Sequence, residues 1–450
     1  MLSGGDTVGK YNRIFCLVLA AVLLLSGCSM RSVEALYCLP KRSESYLDLQ
    51  SVMDDNMEGL SFCAPLTGEN RQTVQTADLS GDGRDEYLLF AKGSEDMSLQ
   101  ILVFSQTDRG FALWQTITGK GSSFDLVEYV QMDGNAGLEL VVGWQLSDRV
   151  MRSVAVYSFA DNEIRQLVST QYTKILTSDL DENGQGELLV LRPGLTEDSN
   201  GIAELYSVKN GAMERSKETP LSASAHSLKR IITGNLHGGI PAIFVGSNPG
   251  EDTIITDVFA VVGGTFTNVS LSGESGTSVQ TLRNYYVYAD DIDNDGEVEL
   301  PDLITMIPVD TTKNAVQQHL IRWYAMASDG SKAEKAFTFH NFVDGWYMEL
   351  QAQWASKISV VQEGNTYRFY WWNEDNTEAQ KVFTVYALSG QDREAQAVVE
   401  NRFVIHKTES VIYAARMEVA SGILALSQEN LIQSFHPIHY GWNSGEIQEG

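Results

Sequence analysis

Short runs of apolar residues separated by polar turns dominate the chain. The runs are rich in Val, Ile, Tyr and Phe and are broken by Gly, Asp, Asn and Ser, which is typical of β-strands. No stripe with a 3.6-residue period runs through them. One unit predicts four strands at 126–131, 138–145, 153–159 and 164–170, and other units place third strands at 101–104, 203–208, 256–262 and 320–325. The pattern predicts a mainly β fold.

A polar turn recurs between the first two strands of these units. Its fullest copy has acids at Asp291, Asp293, Asp295 and Glu299, with Gly296 at the sharp bend. Calcium takes six to eight oxygen ligands in a flexible shell, and Gly adopts positive φ without steric cost. The three aspartates, the main-chain carbonyl of Glu297 and the carboxylate of Glu299 therefore predict a calcium loop.

Four weaker copies precede this turn at intervals of about 50 residues, which indicates repeated units such as propeller blades. Two of them keep the oxygen ligands, one is decayed, and one has lost its acids. The copies are Asp78, Ser80, Asp82, Gly83 and Glu86; Gln131, Asp133, Asn135, Ala136 and Glu139; Asp179, Asp181, Asn183, Gly184 and Glu187; and Gly234, Leu236, Gly238, Gly239 and Ala242.

These loops resemble FG-GAP/VCBS repeats, the units of the integrin α-subunit β-propeller and of many bacterial surface proteins. The resemblance covers about residues 71–342; it is specific in three loops, weak in the second and absent in the fourth. It implies a propeller of about five four-stranded blades, with structural Ca²⁺ at the turn between strands 1 and 2. The implied ligands are Asp291, Asp293, Asp295, Glu297 and Glu299; Asp179, Asp181, Asn183, Gln185 and Glu187; and Asp78, Ser80, Asp82, Arg84 and Glu86.

A rival interpretation of the last loop is half of an EF-hand or dockerin, because Asp302 falls at its twelfth position. Such loops need flanking helices. Pro301 and Pro308 bracket the following segment, which argues against a helix there.

Residues 344–450 carry no calcium loop and predict a separate small α+β domain, with two further blades, seven in all, as the alternative. Strands are expected at 346–350, 358–361, 367–372, 382–388, 402–405 and 411–417, and a short helix at 427–434. Within 367–372, alternation puts either Phe369 and Trp371 or Tyr370 and Trp372 in the core.

The N-terminus predicts export. Lys10 and Arg13 precede an apolar run at 14–25, which is typical of a signal peptide and too short to span a membrane. Residues 25–28, Leu-Ser-Gly-Cys, resemble a bacterial lipobox, so 1–27 is the expected lipoprotein signal peptide and Cys28 the lipidated (palmitate-bearing) residue. Residues 28–70 are then a tether with a short helix at 45–57. Cys38 and Cys63 remain for a disulfide, with two free thiols as the alternative.

Charge and composition limit the classes of partner that the protein can bind. The formal net charge of −27 excludes a nucleic-acid-binding surface as the main function and favours cation binding. No Gly-x-Ser-x-Gly elbow occurs, and the tightest carboxylate pairs lie in the calcium loops. The sequence therefore predicts a non-catalytic, cell-surface binding or adhesion-type protein that is held to the membrane by its lipid and takes a protein or glycan ligand. A polysaccharide-active hydrolase or lyase and a structural part of a cell-envelope assembly are the alternatives.

Overall fold

A computed structural model describes residues 44–94, 98–146, 152–160, 163–196, 199–309, 318–420, 422–438 and 442. The predicted signal peptide, Cys28 and Cys38 lie outside these residues. The chain divides into two compact units, one formed by Met1–Glu58 with Phe104–Trp114 and the other by Gly59–Val103 with Gln115–Gly450.

The described part of the first unit contains helix α1, Glu44–Asp55, close to the helix expected at 45–57. Leu49 and Met53, four residues apart on one face, are both buried, which is what an amphipathic helix requires. The Asp48 carboxylate accepts a hydrogen bond from the Phe111 N–H at 2.8 Å.

Antiparallel sheets of four or five strands account for most of the described chain, which confirms the mainly β prediction. In the second repeat, residues 123–172, the four observed strands fall within about three residues of the expected positions. The first four sheets contain β1 Leu60–Phe62, β2 Val74–Ala77, β3 Glu86–Gly93, β4 Leu99–Thr107 and β5 Gly110–Gly119; β6 Ser123–Val130, β7 Glu139–Gln145, β8 Arg152–Ser158 and β9 Arg165–Tyr172; β10 Lys174–Ser178, β11 Glu187–Arg192, β12 Ile202–Lys209, β13 Ala212–Arg215 and β14 Thr219–Pro220; and β15 Leu228–Asn235, β16 Pro241–Gly250, β17 Thr253–Val262 and β18 Thr265–Asn268.

Two further sheets bring the number found among the described residues to six. The sequence predicts five blades, with seven as the alternative. The fifth sheet contains β19 Glu299–Thr305, β20 His319–Met326, β21 Lys332–Asn341, β22 Trp346–Leu350 and β28 Phe435–Pro437; the sixth contains β23 Ile358–Glu363, β24 Thr366–Trp372, β25 Ala379–Ser389, β26 Phe403–Lys407 and β27 Val411–Met417. Helices α2, Arg393–Gln396, and α3, Gln428–Gln433, lie beyond β25. Ser427 caps α3 by accepting from the Asn430 N–H at 3.1 Å, as the helix-start signal predicts.

Each sheet packs against the next one along the chain through buried apolar side chains. The largest shared core, between the fifth and sixth sheets, holds Trp346, Phe369 and Phe383. Such face-to-face burial of both sides is what drives sheets together. Ring contacts join Phe90 to Phe124 and Phe339 to Phe369. Buried clusters that draw on two successive sheets hold Val156 and Leu188, Leu189 and Phe259, and Phe244 and Tyr324.

The domain boundary predicted at residue 344 lies inside a sheet. Strand β22 pairs with β21 from Trp346 opposite Asn341 to Leu350 opposite Phe337, and β28 pairs with β22 in turn. The residues after 344 therefore complete the fifth sheet before they build the sixth. Trp346 and Met348 lie in the core that the fifth and sixth sheets share, and the sequence does not reveal these partners.

Strand β24 does not follow the expected alternation. Tyr367, Phe369 and Trp372 are all buried, and the pairing with β25 shifts register between Phe369 and Tyr370, where Val382 is an extra residue in β25. A bulge adds one residue to a strand and reverses which positions face the core after it. No helix among the described residues is long and apolar enough to cross a membrane.

Candidate metal centres

The five turns that the sequence singles out are named here the first loop (78–86), second loop (131–139), third loop (179–187), fourth loop (234–242) and fifth loop (291–299). In the fifth loop the Asp291 carboxylate anchors the bend, because its two oxygens accept from the Asp295 N–H at 3.1 Å and the Gly296 N–H at 2.9 Å. Gly296 has φ +88°, the left-handed conformation that Gly favours.

Glu299, the first residue of β19, brings a buried carboxylate beneath this bend. Its Oε2 accepts from the Ile292 N–H at 3.0 Å, whereas its Oε1 is buried without a hydrogen-bond partner. Oxygens of Asp291, Asp293 and Glu299 all lie within 4.8 Å of one another. Burial, followed by the nearby charges of Asp293 and Asp295, raises the pKa of Glu299 to about 7. A buried carboxylate oxygen without a partner is costly, and a hard cation would satisfy it.

The third loop repeats this arrangement. Asp179 accepts from the Asn183 N–H at 3.1 Å and from the Gly184 N–H at 2.9 Å. Glu187 is 3% exposed, and its Oε2 accepts from the Leu180 N–H at 2.8 Å. Oxygens of Asp179, Asp181 and Glu187 lie within 4.8 Å of one another, so the structure brings together the same three positions in both loops. The Asn183 Oδ1 accepts from the Gln185 N–H at 2.7 Å, so this side chain shapes the bend.

The fifth position of the fifth loop, Asp295, is held outside the acidic cluster. Its Oδ2 lies 2.6 Å from the Lys335 Nζ, which also lies 2.9 Å from Glu297. Partial burial opposes ionisation of Glu297, but hydrogen bonds from Lys335, the Gly238 N–H and His237 bring its pKa down to about 2. The Glu297 side chain thus binds the fourth loop, and only its carbonyl is left for the predicted role.

The first loop keeps the bend but neutralises its acids internally. Asp78 accepts from the Gly81 and Gly83 N–H groups at 2.7 and 2.9 Å. The Ser80 hydroxyl donates to Glu86 Oε1 at 3.2 Å, and Arg84 forms an ion pair with Asp82 at 2.6 Å. The predicted ligands of this loop therefore do not form a cluster of three carboxylates like those of the third and fifth loops.

In the second loop a side-chain amide stands where the first, third and fifth loops have a carboxylate. Gln131 occupies the position of the anchoring aspartate, and its Nε2 donates to the main-chain oxygens of Asn135 and Gly137, the latter at 3.0 Å. Ala136 replaces Gly at the bend and does not adopt positive φ. The buried Glu139 persists, and burial raises its pKa to about 7, as it does for Glu187 and Glu299. A raised pKa at this position is thus a shared property of the loops.

Neighbouring loops are hydrogen-bonded to each other through their main chains. The Leu138 N–H donates to Asp78 O at 3.0 Å, and the Gly186 N–H donates to Gln131 O at 2.7 Å. Between the fourth and fifth loops the Val298 N–H donates to Asn235 O at 3.0 Å. The first, second and third loops consequently lie side by side, as do the fourth and fifth.

The EF-hand interpretation of the fifth loop is wrong, because strand β19, rather than a helix, begins at Glu299. Asp302 instead forms an ion pair with Arg322. Sequence reasoning also missed Lys335, whose contact with Asp295 joins residues 40 positions apart.

The half-buried Cys63 forms no disulfide with another described residue, and its N–H donates to Phe90 O at 2.9 Å. Cys38 lies outside the described residues. The Cys38–Cys63 bond therefore stays a prediction.

No family model matches the chain, and no curated protein matches it. Among solved structures, the rhamnogalacturonan lyase YesW is similar at 12% identity and TM-score 0.32, over 72% of this chain and 62% of the lyase. A Bacillus licheniformis rhamnogalacturonan lyase is similar at 11% identity and TM-score 0.28, over 72% of each chain. A protein from Lactobacillus plantarum is similar at 10% identity and TM-score 0.27, over 71% of this chain and 85% of that one. Similarities of this size carry no argument about function.

Proposed function

We propose that the protein is a calcium-stabilised β-propeller that acts as a non-catalytic binding protein at the cell surface. The propeller interpretation is supported by successive antiparallel sheets that pack face to face in chain order, and by loops that recur at the same place in each sheet. Propellers use such radial repetition to protect their strand edges.

The observation that carries the proposal is the buried Glu299 carboxylate, whose Oε1 has no partner, beside Asp291 and Asp293. The residues fit Ca²⁺, because the ion prefers carboxylate and carbonyl oxygens in a flexible shell. Asp291, Asp293 and Glu299 would hold one ion, and Asp179, Asp181 and Glu187 a second. The bound ions would offset the repulsion of carboxylates that crowd each loop.

Surface display rests on the N-terminal sequence. Lys10, Arg13, the apolar run and Cys28 support an exported chain held to the membrane by a lipid at Cys28. Cys28→Ser should release the protein from the membrane fraction or leave its precursor unprocessed. A Cys28→Ser protein that is processed and partitions like the parent would refute the lipid anchor.

A direct test of the binding function is a glycan and peptide array probed with the protein lacking its signal, in calcium and in chelator. We expect calcium-dependent binding that Asp181→Ala or Asp293→Ala weakens. Turnover of a polysaccharide by the same preparation would instead establish the hydrolase or lyase alternative.

A further inference from the structure

A small pocket opens directly beside the acidic cluster of the third loop. Its volume is about 110 Å³, and Asp181 and Glu187 form part of its wall. The rest of the wall comes from β12, β13 and the residue after it, and from the β17–β18 hairpin of the fourth sheet. The lining side chains used below are Ser207, Lys209, Glu214, Arg215, Ser216 and Phe266.

The equivalent face of the fifth loop is closed by Lys335. Strand pairing aligns the two sheets: Leu300 pairs with Tyr324, and Tyr324 with Glu334, which immediately precedes Lys335. In the third sheet Leu188 pairs with Tyr206, and Tyr206 with Arg215, which immediately precedes Ser216. Ser216 of the third sheet therefore occupies the position that Lys335 occupies in the fifth sheet.

This difference in size decides access to the two centres. The Lys335 Nζ reaches Asp295 and Glu297 at 2.6 and 2.9 Å and lies over the fifth loop. The Ser216 side chain is too short to do the same, and its Oγ bonds locally to the Leu205 N–H at 2.9 Å. A cation in the third loop would keep ligand positions that face the pocket.

The charges around this pocket favour a neutral ligand. The ionised Asp179, Asp181 and Glu187 together carry three negative charges, one more than a divalent cation neutralises. Arg215 shares Glu204, 2.8 Å away, with Arg192, and Lys209 and Glu214 bring opposite charges to the same wall. The chain as a whole carries −27, which repels polyanions.

We propose that the third-loop cation is a ligand-binding centre that takes adjacent hydroxyl groups of a neutral sugar. This inference rests on the proposed calcium binding and names the ligand class of one of its two centres. The two hydroxyls would replace water on the cation, because hard cations accept hydroxyl oxygens as readily as water oxygens. Ser207 offers a hydrogen bond to a ring substituent, and Phe266 offers an apolar wall to the C–H face. Since drug-sized ligands need pockets of about 300 Å³ or more, one edge of a single sugar ring fits here.

Terbium luminescence tests the proposal, because the lifetimes in H₂O and D₂O give the number of waters on the bound ion. Tb³⁺ in the Asp293→Ala chain reports the third loop, and Tb³⁺ in the Asp181→Ala chain reports the fifth. We expect the third-loop ion to hold more water than the fifth-loop ion. Methyl glycosides with adjacent free hydroxyls should remove water from the third-loop ion and leave the fifth-loop ion unchanged.

Exchanging the two side chains provides matched variants. Ser216→Lys, made with Asp293→Ala, should lower the water count of the third-loop ion and abolish its response to the glycosides. Lys335→Ser, made with Asp181→Ala, should raise the water count of the fifth-loop ion.

Each other outcome has a defined meaning. If Tb³⁺ binds but no glycoside in a panel of mannosides, galactosides, glucosides and fucosides displaces water, the sugar proposal is overturned and the calcium proposal stands. Displacement by acetate but by no glycoside would also overturn it, in favour of a carboxylate ligand. Failure of Tb³⁺ to bind either variant refutes the proposed calcium binding itself.

Discussion

At the scale of single residues, the most consequential side chain outside the loops is the buried His340. Rings of Trp323, Phe342, Tyr347 and Trp442 surround it, and both of its ring nitrogens lack a hydrogen-bond partner. Burial lowers its pKa from 6.5 to about 3. The folded state therefore favours the neutral ring, so stability is complete above pH 6.5 and falls as the pH drops from 6.5 towards 3.

We predict that His340→Phe removes this acid sensitivity, because phenylalanine fills an aromatic site without titrating. Between pH 7 and 4.5 the parent should lose about 3 kcal/mol through His340 that the variant keeps. Urea unfolding at both pH values measures the difference, with His226→Gln, at an exposed histidine, as the control. Equal pH dependence in the parent and His340→Phe would show that His340 does not carry the effect.

At the scale of the loops, the second loop holds its bend with a side-chain amide in place of the anchoring carboxylate. The Gln131 amide supplies donors where the first, third and fifth loops have an aspartate. Gly134 keeps a positive φ, but Ala136 removes the second left-handed residue that those three loops have. Gln131→Asp together with Ala136→Gly should restore both features.

We predict that this double variant is destabilised in chelator, by about 1–3 kcal/mol for the lost amide hydrogen bonds, and recovers in calcium. Gln131→Asp alone is the matched control and should recover less. Urea midpoints with calcium and with chelator provide the measurement. A double variant whose midpoint ignores calcium would contradict the role assigned to Gln131.

The periodic pattern of the sequence predicts many of the strands and the positions of the loops. Strand β27 spans Val411–Met417 as expected, and the third and fifth loops each bring together three of the expected acids. The sequence could not predict the side-chain contacts. Lys335 holds Asp295 away from the acidic cluster of the fifth loop. In the first loop, Ser80 donates to Glu86 and Arg84 forms an ion pair with Asp82. The extra residue Val382 in β25 could not be predicted either, because alternation carries no sign of one added residue.

At the scale of the whole molecule, the continuity of the fifth and sixth sheets predicts the response to cleavage near residue 344. Val343 is 85% exposed in the β21–β22 turn, so a protease can cut there. We predict that the two pieces stay together under native conditions, because β21 and β22 remain paired and share a buried core.

Size-exclusion chromatography after limited proteolysis, followed by denaturing gel electrophoresis, tests this point. Residues 344–450 expressed alone should lack the cooperative unfolding of a folded domain, because they lose β21, the pairing partner of β22, and the core residues Met306, Leu320, Phe337 and Phe339. A stable, cooperatively unfolding fragment would restore the separate domain that the sequence alone suggests.

The most direct test of the central claim is differential scanning calorimetry of chelator-stripped protein with and without millimolar calcium. Binding to the folded state stabilises by about 2.7 kcal/mol per site when calcium reaches a hundred times Kd. We expect calcium to raise Tm, Asp181→Ala and Asp293→Ala each to reduce the gain, and their combination to abolish it, while Asp133→Ala leaves it unchanged. A melting curve that is the same in calcium and in chelator, with no heat of binding, would contradict the assignment of these loops as metal centres.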